Sequence, residues 1–205
     1  MDREPRQPMW EGLTMRLSRP RIPALADHQL DEEQREALEP YRSGDSDVFN
    51  IFRTLAHAPR PLRRFGFWAG YVLGRHNSLP PRERELVILR VGYLCKAGYE
   101  WAQHVVIGRN AGLTDEEIER IKAGADAEGW SPGDAALLRA TDELVDDHFI
   151  SDDTWAALAR DADLDDRQRM DVVFTTGQYT QVSMMLNTFG VQLDEFLVPD
   201  PDLTS

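Results

Sequence analysis

The chain has 205 residues, enough for one generous domain that buries a core without disulfides or metal. Its 23 Lys+Arg against 36 Asp+Glu give a net charge of −13, a field that repels nucleic acid and anionic membrane and makes neither an expected partner. A hydrophobic share of 41% is ordinary for a globular protein. The single cysteine, Cys95, leaves no internal disulfide. No N-terminal stretch reads as a signal peptide, and no apolar run approaches the roughly 20 residues that span a bilayer. A cytoplasmic protein is expected.

Residues 1–30 are rich in Pro and Arg and show no sustained period. They predict an irregular N-terminal arm packed through Trp10, Met15 and Ile22, with residues 31–205 as the domain proper. Asp31-Glu32-Glu33 opens a short acidic helix near 31–42. SGDSD at 43–47 reads as a loop, with Asp47 as N-cap of a helix near 48–57. Pro59 and Pro61 end that helix, and 62–76 forms the next. Ser78 and the two following prolines set up a further helix, with Glu83 and Glu85 in its first turns, where the macrodipole favours acids.

From Leu86 to Cys95 that helix is apolar almost all round, which predicts a central, buried position. Tyr99 to Ala111 forms its antiparallel partner, ended by Gly112. Thr114-Asp115-Glu116-Glu117 is a capping box for a surface helix to about 123. Helices follow at about 132–148, 151–161 and 165–190, the last closed by Gly190. No strand-like alternation of convincing length and no internal repeat occurs, so the fold class is all-α and single-domain.

The residues 95–104, CKAGYEWAQH, place Glu100 and His104 one turn apart on one helix face. Glu85 lies on the preceding helix, further from the turn than His104 by a turn or two at about 1.5 Å per residue. A long side chain or one water closes such a gap. Two carboxylates and an imidazole inside an apolar hairpin are desolvated and coupled, which shifts their pKa values toward acid–base use. The same spacing also describes a solvated i,i+4 pair.

RERELVILRVGYLCKAGYEWAQHVVIGRNAGLTDEEI (82–118) resembles the carboxymuconolactone decarboxylase family, the all-α superfamily that includes AhpD-type alkylhydroperoxidases. The family pattern has a Glu, twelve residues on the first position of a C-x-x-C pair, and a His four residues after the second. Glu85, Ala97, Glu100 and His104 occupy those places here. Weaker likeness extends through 50–59 and 174–196. Both redox cysteines are replaced, so the dithiol peroxidase reaction, which needs an attacking thiolate and a resolving thiol, is disfavoured.

The resemblance then implies an AhpD-like helical bundle and a cofactor-free, decarboxylase-like enzyme acting on a small cyclic acid or lactone from aromatic breakdown. His104 would be donor or acid, Glu100 the proton shuttle, and Glu85 the group that orients His104. The family's symmetric dimers, trimers or hexamers imply a homo-oligomer. The rivals are a thiol-dependent hydroperoxidase using Cys95, and an oligomeric protein that binds a ligand without converting it.

Other residues are weighed beside that trio. Thr176, Tyr179 or Thr180, Ser183 and Asn187 form a polar stripe on the last helix, lining either a pocket or a subunit interface, with Tyr179 read as substrate-binding. Arg63, Arg64 and Arg90 can neutralise an anionic substrate. Arg90 stands out because it interrupts an apolar helix and needs a buried partner, which an acidic structural residue would equally supply. His57 reads as a helix-end residue and Cys95 as a small hydrophobe filling core space. No HExxH pattern or obvious third His supports a metal site.

Overall fold

The computed structural model describes residues 15–42 and 47–204, so Trp10 and most of the 43–47 loop lie outside the described residues. Helices run α1 (Glu32–Leu38), α2 (Asn50–Leu55), α3 (Pro59–Val72), α4 (Pro81–Leu94), α5 (Gly98–Ala111), α6 (Asp115–Ala123), α7 (Pro132–Asp146), α8 (Asp152–Arg160) and α9 (Asp166–Phe189). Short 3-10 turns occupy Asp27–Gln29, Glu39–Tyr41 and Pro201–Leu203, and no strand occurs among the described residues. The fold is all-α, as the hydrophobic pattern predicts.

α4 is the axis. Glu85 through Gly92 are all buried, and α5, α6, α7 and α9 pack around them. Leu86, Val87, Ile88, Leu89 and Val91 are each fully enclosed. Burial of one such side chain contributes roughly 1.5–3 kcal/mol, so this helix anchors the domain. The main core joins α4 to α7, α8 and the start of α9 through Leu86, Leu89, Leu137, Leu138, Leu158 and Val172. A separate cluster of Leu30, Leu38, Val48 and Leu62 ties α1 and the chain before it to α3.

Several helix starts follow the local code. Asp31, Thr114, Ser131, Ser151 and Asp165 each accept a backbone N–H from the first turn of the helix they open. Others depart from it. α2 begins at Asn50, not near 48, and Asp47 does not cap it. The cap comes from a distant carboxylate: Asp194 Oδ1 accepts the Asn50 N–H at 2.8 Å. α3 starts on Pro59 instead of after the prolines, because proline at the first helical position lacks a donor that would be unpaired anyway. At α4 the cap position falls to Pro80, and Ser78 serves another purpose.

That purpose is a bridge to α9. Asp171, fully buried, accepts the Ser78 backbone N–H at 2.7 Å, the Ser78 hydroxyl at 2.5 Å and the Tyr71 hydroxyl at 2.6 Å. One carboxyl group thereby joins α3, the α3–α4 connection and α9. The arm is fixed at the other end of α9, where the Phe189 carbonyl accepts the N–H groups of Arg21 and Ile22. Asp171→Ala leaves three donors facing apolar surroundings. Its expected effect is a loss of about 3 kcal/mol, read as a lower urea midpoint with an unchanged slope.

Candidate active site

The turn between α4 and α5 sets the geometry of everything beyond it. Lys96 takes a left-handed conformation at φ 52°. Its N–H donates to the Tyr93 carbonyl, and the Ala97 N–H donates to the Gly92 carbonyl at 2.8 Å. This is a Schellman arrangement, which reverses the chain in three residues and satisfies the last carbonyls of α4. Further along, Gly108 lets α5 close on α4. A Cβ there would stand 3.1 Å from Leu113 Cδ1 and 3.3 Å from Leu89 Cδ1, tighter than ordinary contact, and 3.8 Å from Glu85 Cβ.

The helices approach closely enough for Glu85 to reach His104 with no intervening water. His104 Nδ1 lies 2.6 Å from Glu85 Oε2, and its Nε2 lies 2.9 Å from Glu100 Oε1. All three side chains are buried. Glu100 is the third residue of α5, where the helix dipole favours a negative charge. Tyr179 of α9 meets the imidazole edge-on, with ring centroids 4.9 Å apart and planes at 85°.

Electrostatics fix the protonation of this group. Burial is the largest single influence on His104 and opposes its charge, but Glu85 and Glu100 together outweigh it and lift the imidazole to about 10. Both ring nitrogens then carry protons, each facing a carboxylate. Two carboxylates against one imidazolium leave a net negative charge. Burial, followed by the nearby Glu100 and Glu85 charges, pushes the Tyr179 hydroxyl well above its ordinary value, so it remains a donor.

Glu100, His104 and Tyr179 share one wall of a cavity of about 720 Å³. Glu85 stands behind His104, off that wall, with Oε1 buried and unpartnered. The facing surfaces are mostly aromatic and aliphatic, from Phe49, Phe52, Phe65, Phe67, Leu73 and Val182. Gln178 also lines the cavity; it is buried, and neither its amide nitrogen nor its amide oxygen has a partner. Sequence reasoning missed Gln178. It lies beside the polar stripe of α9 instead of on it, and a lone amide in a helix carries no spacing signal.

Arg90 does not join the site. Its Nε donates to Asp142 at 2.5 Å, and its Nη1 donates to the carbonyls of Ile121 and Lys122 at 2.9 Å. The guanidinium thus caps the C-terminus of α6, so the buried partner it needed is structural and the substrate-binding expectation for Arg90 gives way to a capping one. Arg63 lines the cavity but is bound to Glu33 and Glu36, while Arg64 is exposed. His57 Nε2 contacts the Pro23 carbonyl at 2.9 Å. Asn187 is half-buried and does not line the cavity; its amide donates to the Cys95 carbonyl at 2.8 Å. The Cys95 thiol is off the cavity wall and pushed up by burial, a poor setting for a nucleophile.

Residues 59–143 match the carboxymuconolactone decarboxylase family, a stretch that holds Glu85, Glu100 and His104 but not Tyr179 or Gln178. Among solved structures, the chain is similar to the alkylhydroperoxidase AhpD core of an uncharacterized peroxidase-related protein from Ralstonia eutropha JMP134. The two share 21% identity at a TM-score of 0.74, over 86% of this chain and 93% of that one. An uncharacterized peroxidase-related protein from Silicibacter sp. TM1040 gives 17% identity and a TM-score of 0.69, over 89% and 94%. A protein of unknown function from Agrobacterium tumefaciens gives 18% and 0.61, over 68% and 94%. At these identities the likeness is one of fold. No curated protein matches the chain.

The raised His104 value makes stability depend on pH. Folded, the imidazole keeps its proton up to about 10; unfolded, it releases it near the ordinary value of about 6.5. Its contribution is therefore complete below about pH 6.5 and is lost as pH rises toward about 10. Urea midpoints are expected to fall between pH 7 and pH 9.5, and His104→Gln to flatten that fall. A slope unchanged in the variant would contradict a held imidazolium.

Proposed function

We propose, from the match of residues 59–143 to the carboxymuconolactone decarboxylase family, that the chain is an acid–base enzyme moving a proton on a conjugated carbonyl compound. One observation carries this reading: a buried imidazole held between two carboxylates, one of which opens onto a cavity. Glu85 accepts the Nδ1 proton and so fixes the ring and its charge. The proton between Nε2 and Glu100 is the mobile one. Glu100 exchanges it with a substrate carbon, and His104 makes good the loss. The Tyr179 hydroxyl supplies a donor for charge developing on the carbonyl oxygen.

Two reactions use this arrangement. In decarboxylation a carboxylate leaves as CO₂, its electrons pass into the conjugated carbonyl, and the resulting dienolate takes a proton at carbon. In a proton-shift isomerisation a C–H proton is removed and returned at another carbon. The match to that family supports the first, a carboxy-lyase acting on a lactone. The hydroperoxidase alternative would need Cys95, which lies away from the cavity with its thiol pushed up by burial.

A screen of lactones and conjugated ketones in D₂O tests the reading, scoring deuterium uptake and CO₂ release by mass spectrometry. Once a substrate is found, Glu100→Gln and His104→Asn should each lower turnover by about 10²–10⁴-fold, while Cys95→Ala retains it. Full turnover in both folded site variants would sink the assignment. Peroxide consumption that disappears in Cys95→Ala would replace it with thiol chemistry.

A further inference from the structure

The charge and lining of the cavity restrict what can enter it. Its described lining carries four charged groups: Glu36 and Glu100 against Arg63 and His104, with the Glu85 carboxylate directly behind His104. The charge of Arg63 is already matched by carboxylates, its guanidinium lying 3.5 Å from Glu33 and 3.2 Å from Glu36. The imidazolium is likewise engaged on both nitrogens. An entering anion therefore finds no lining cation without a carboxylate partner. At an effective dielectric of about 20, one more negative charge near the trio weakens binding by roughly tenfold or more.

The second observation is Gln178. It is 3% exposed, and both amide atoms are unpartnered, a state that natural interiors avoid because an unpaired buried amide costs about 1–3 kcal/mol. An amide offers a donor and an acceptor together, which suits a neutral carbonyl, hydroxyl or amide on a ligand. It stands one residue before Tyr179, whose hydroxyl has no hydrogen bond to another described residue. The volume of about 720 Å³ falls in the range of about 300–1,000 Å³ that holds drug-sized ligands, well above the need of a small cyclic acid.

We propose that the cavity takes an uncharged, mainly apolar carbonyl compound of drug-like size, that Gln178 reads its oxygen-bearing group, and that carboxylate-bearing ligands are disfavoured. The chemical part rests on the acid–base reading above. With no carboxylate to lose, the step becomes the proton shift. Glu100 removes a proton from the γ-carbon of the conjugated system, the electron pair passes into a dienolate whose oxygen takes a hydrogen bond, and a proton returns at the carbon beside the carbonyl as the double bond moves. No oxidant or co-reactant is consumed.

The test uses two fluorescent probes that differ in one charge: 1-pyrenebutyrate and its methyl ester, titrated at pH 7. The ester is expected to bind at least tenfold more tightly. An ester is also the more apolar molecule, so the deciding result is the change in that gap. Glu100→Gln removes one carboxylate and should shrink it by about tenfold. Gln178→Leu should weaken the ester by about tenfold while leaving the urea midpoint unchanged or higher, and Gln178→Met serves if the leucine variant does not fold.

A Cβ at Gly70, on the cavity lining, would meet nothing within 4 Å, so Gly70→Trp can block the space and should abolish binding of both probes. Equal affinity for the acid, a gap unchanged in Glu100→Gln, undiminished ester binding in the Gln178 variants, or no binding of either probe overturns the proposal. Tight binding of the acid would do so while leaving proton transfer intact. Full turnover in Glu100→Gln would defeat proton transfer while leaving the binding result standing.

Discussion

A charge buried between two helices governs this structure. Taking an imidazole and two carboxylates out of water carries a desolvation penalty of several kcal/mol per ion, repaid only where geometry is close and partners are complete. The chain meets the geometric part of that demand with contacts of 2.6 and 2.9 Å to the two nitrogens of His104, while Glu85 Oε1 stays unpartnered. Those distances exist because a three-residue turn folds α5 back on α4 and because Gly108 removes the side chain that would hold the helices apart. α4 can carry Glu85 at its buried face only while His104 stands opposite. Packing of the hairpin and chemistry of the site are thus one constraint.

α9 completes the arrangement from the other side. Its first half is joined to α3 and the α3–α4 connection through Asp171, and its middle brings Tyr179 and Gln178 to the cavity. The likeness to solved structures lies in this helical scaffold. The chemistry lies in a few positions on it, where a carboxylate and an alanine stand at 100 and 97 and the chain's sulfur lies elsewhere. The same hairpin can therefore present acid–base groups without presenting a thiol pair.

The hairpin was legible in the sequence because its signals are local. Glu100 and His104 are one helical turn apart, and a count of rise per residue puts Glu85 within reach of them. Helix starts at Asp31, Thr114, Ser131, Ser151 and Asp165 follow from side chains that bond within their own first turn. What escaped depends on partners far away along the chain. Asn50 is capped by Asp194, Ser78 is bound by Asp171, and Arg90 is spent on Asp142 and two carbonyls of α6. Arg90 shows the limit clearly: its burial and its need for a partner were readable, but which partner was a matter of tertiary position. Gln178 had no readable signal, because an unsatisfied amide is defined by what fails to surround it.

The placement of Glu85 behind His104 would give the proposed proton relay a single door, the cavity. Glu85 is fully enclosed and its second oxygen has no hydrogen-bond partner, whereas Glu100 faces the cavity. Protons would reach or leave the trio from the cavity side, where Glu100 and His104 stand, and not past Glu85. When a ligand fills the cavity it also stoppers that door, and the relay is cut off from solvent with one mobile proton inside. A hydrogen taken from a substrate would then mix with water only as far as the ligand leaves that door ajar. The molecule would behave as a closed compartment for one proton per visit, so that the isotopic history of the product records how tightly the cavity was sealed.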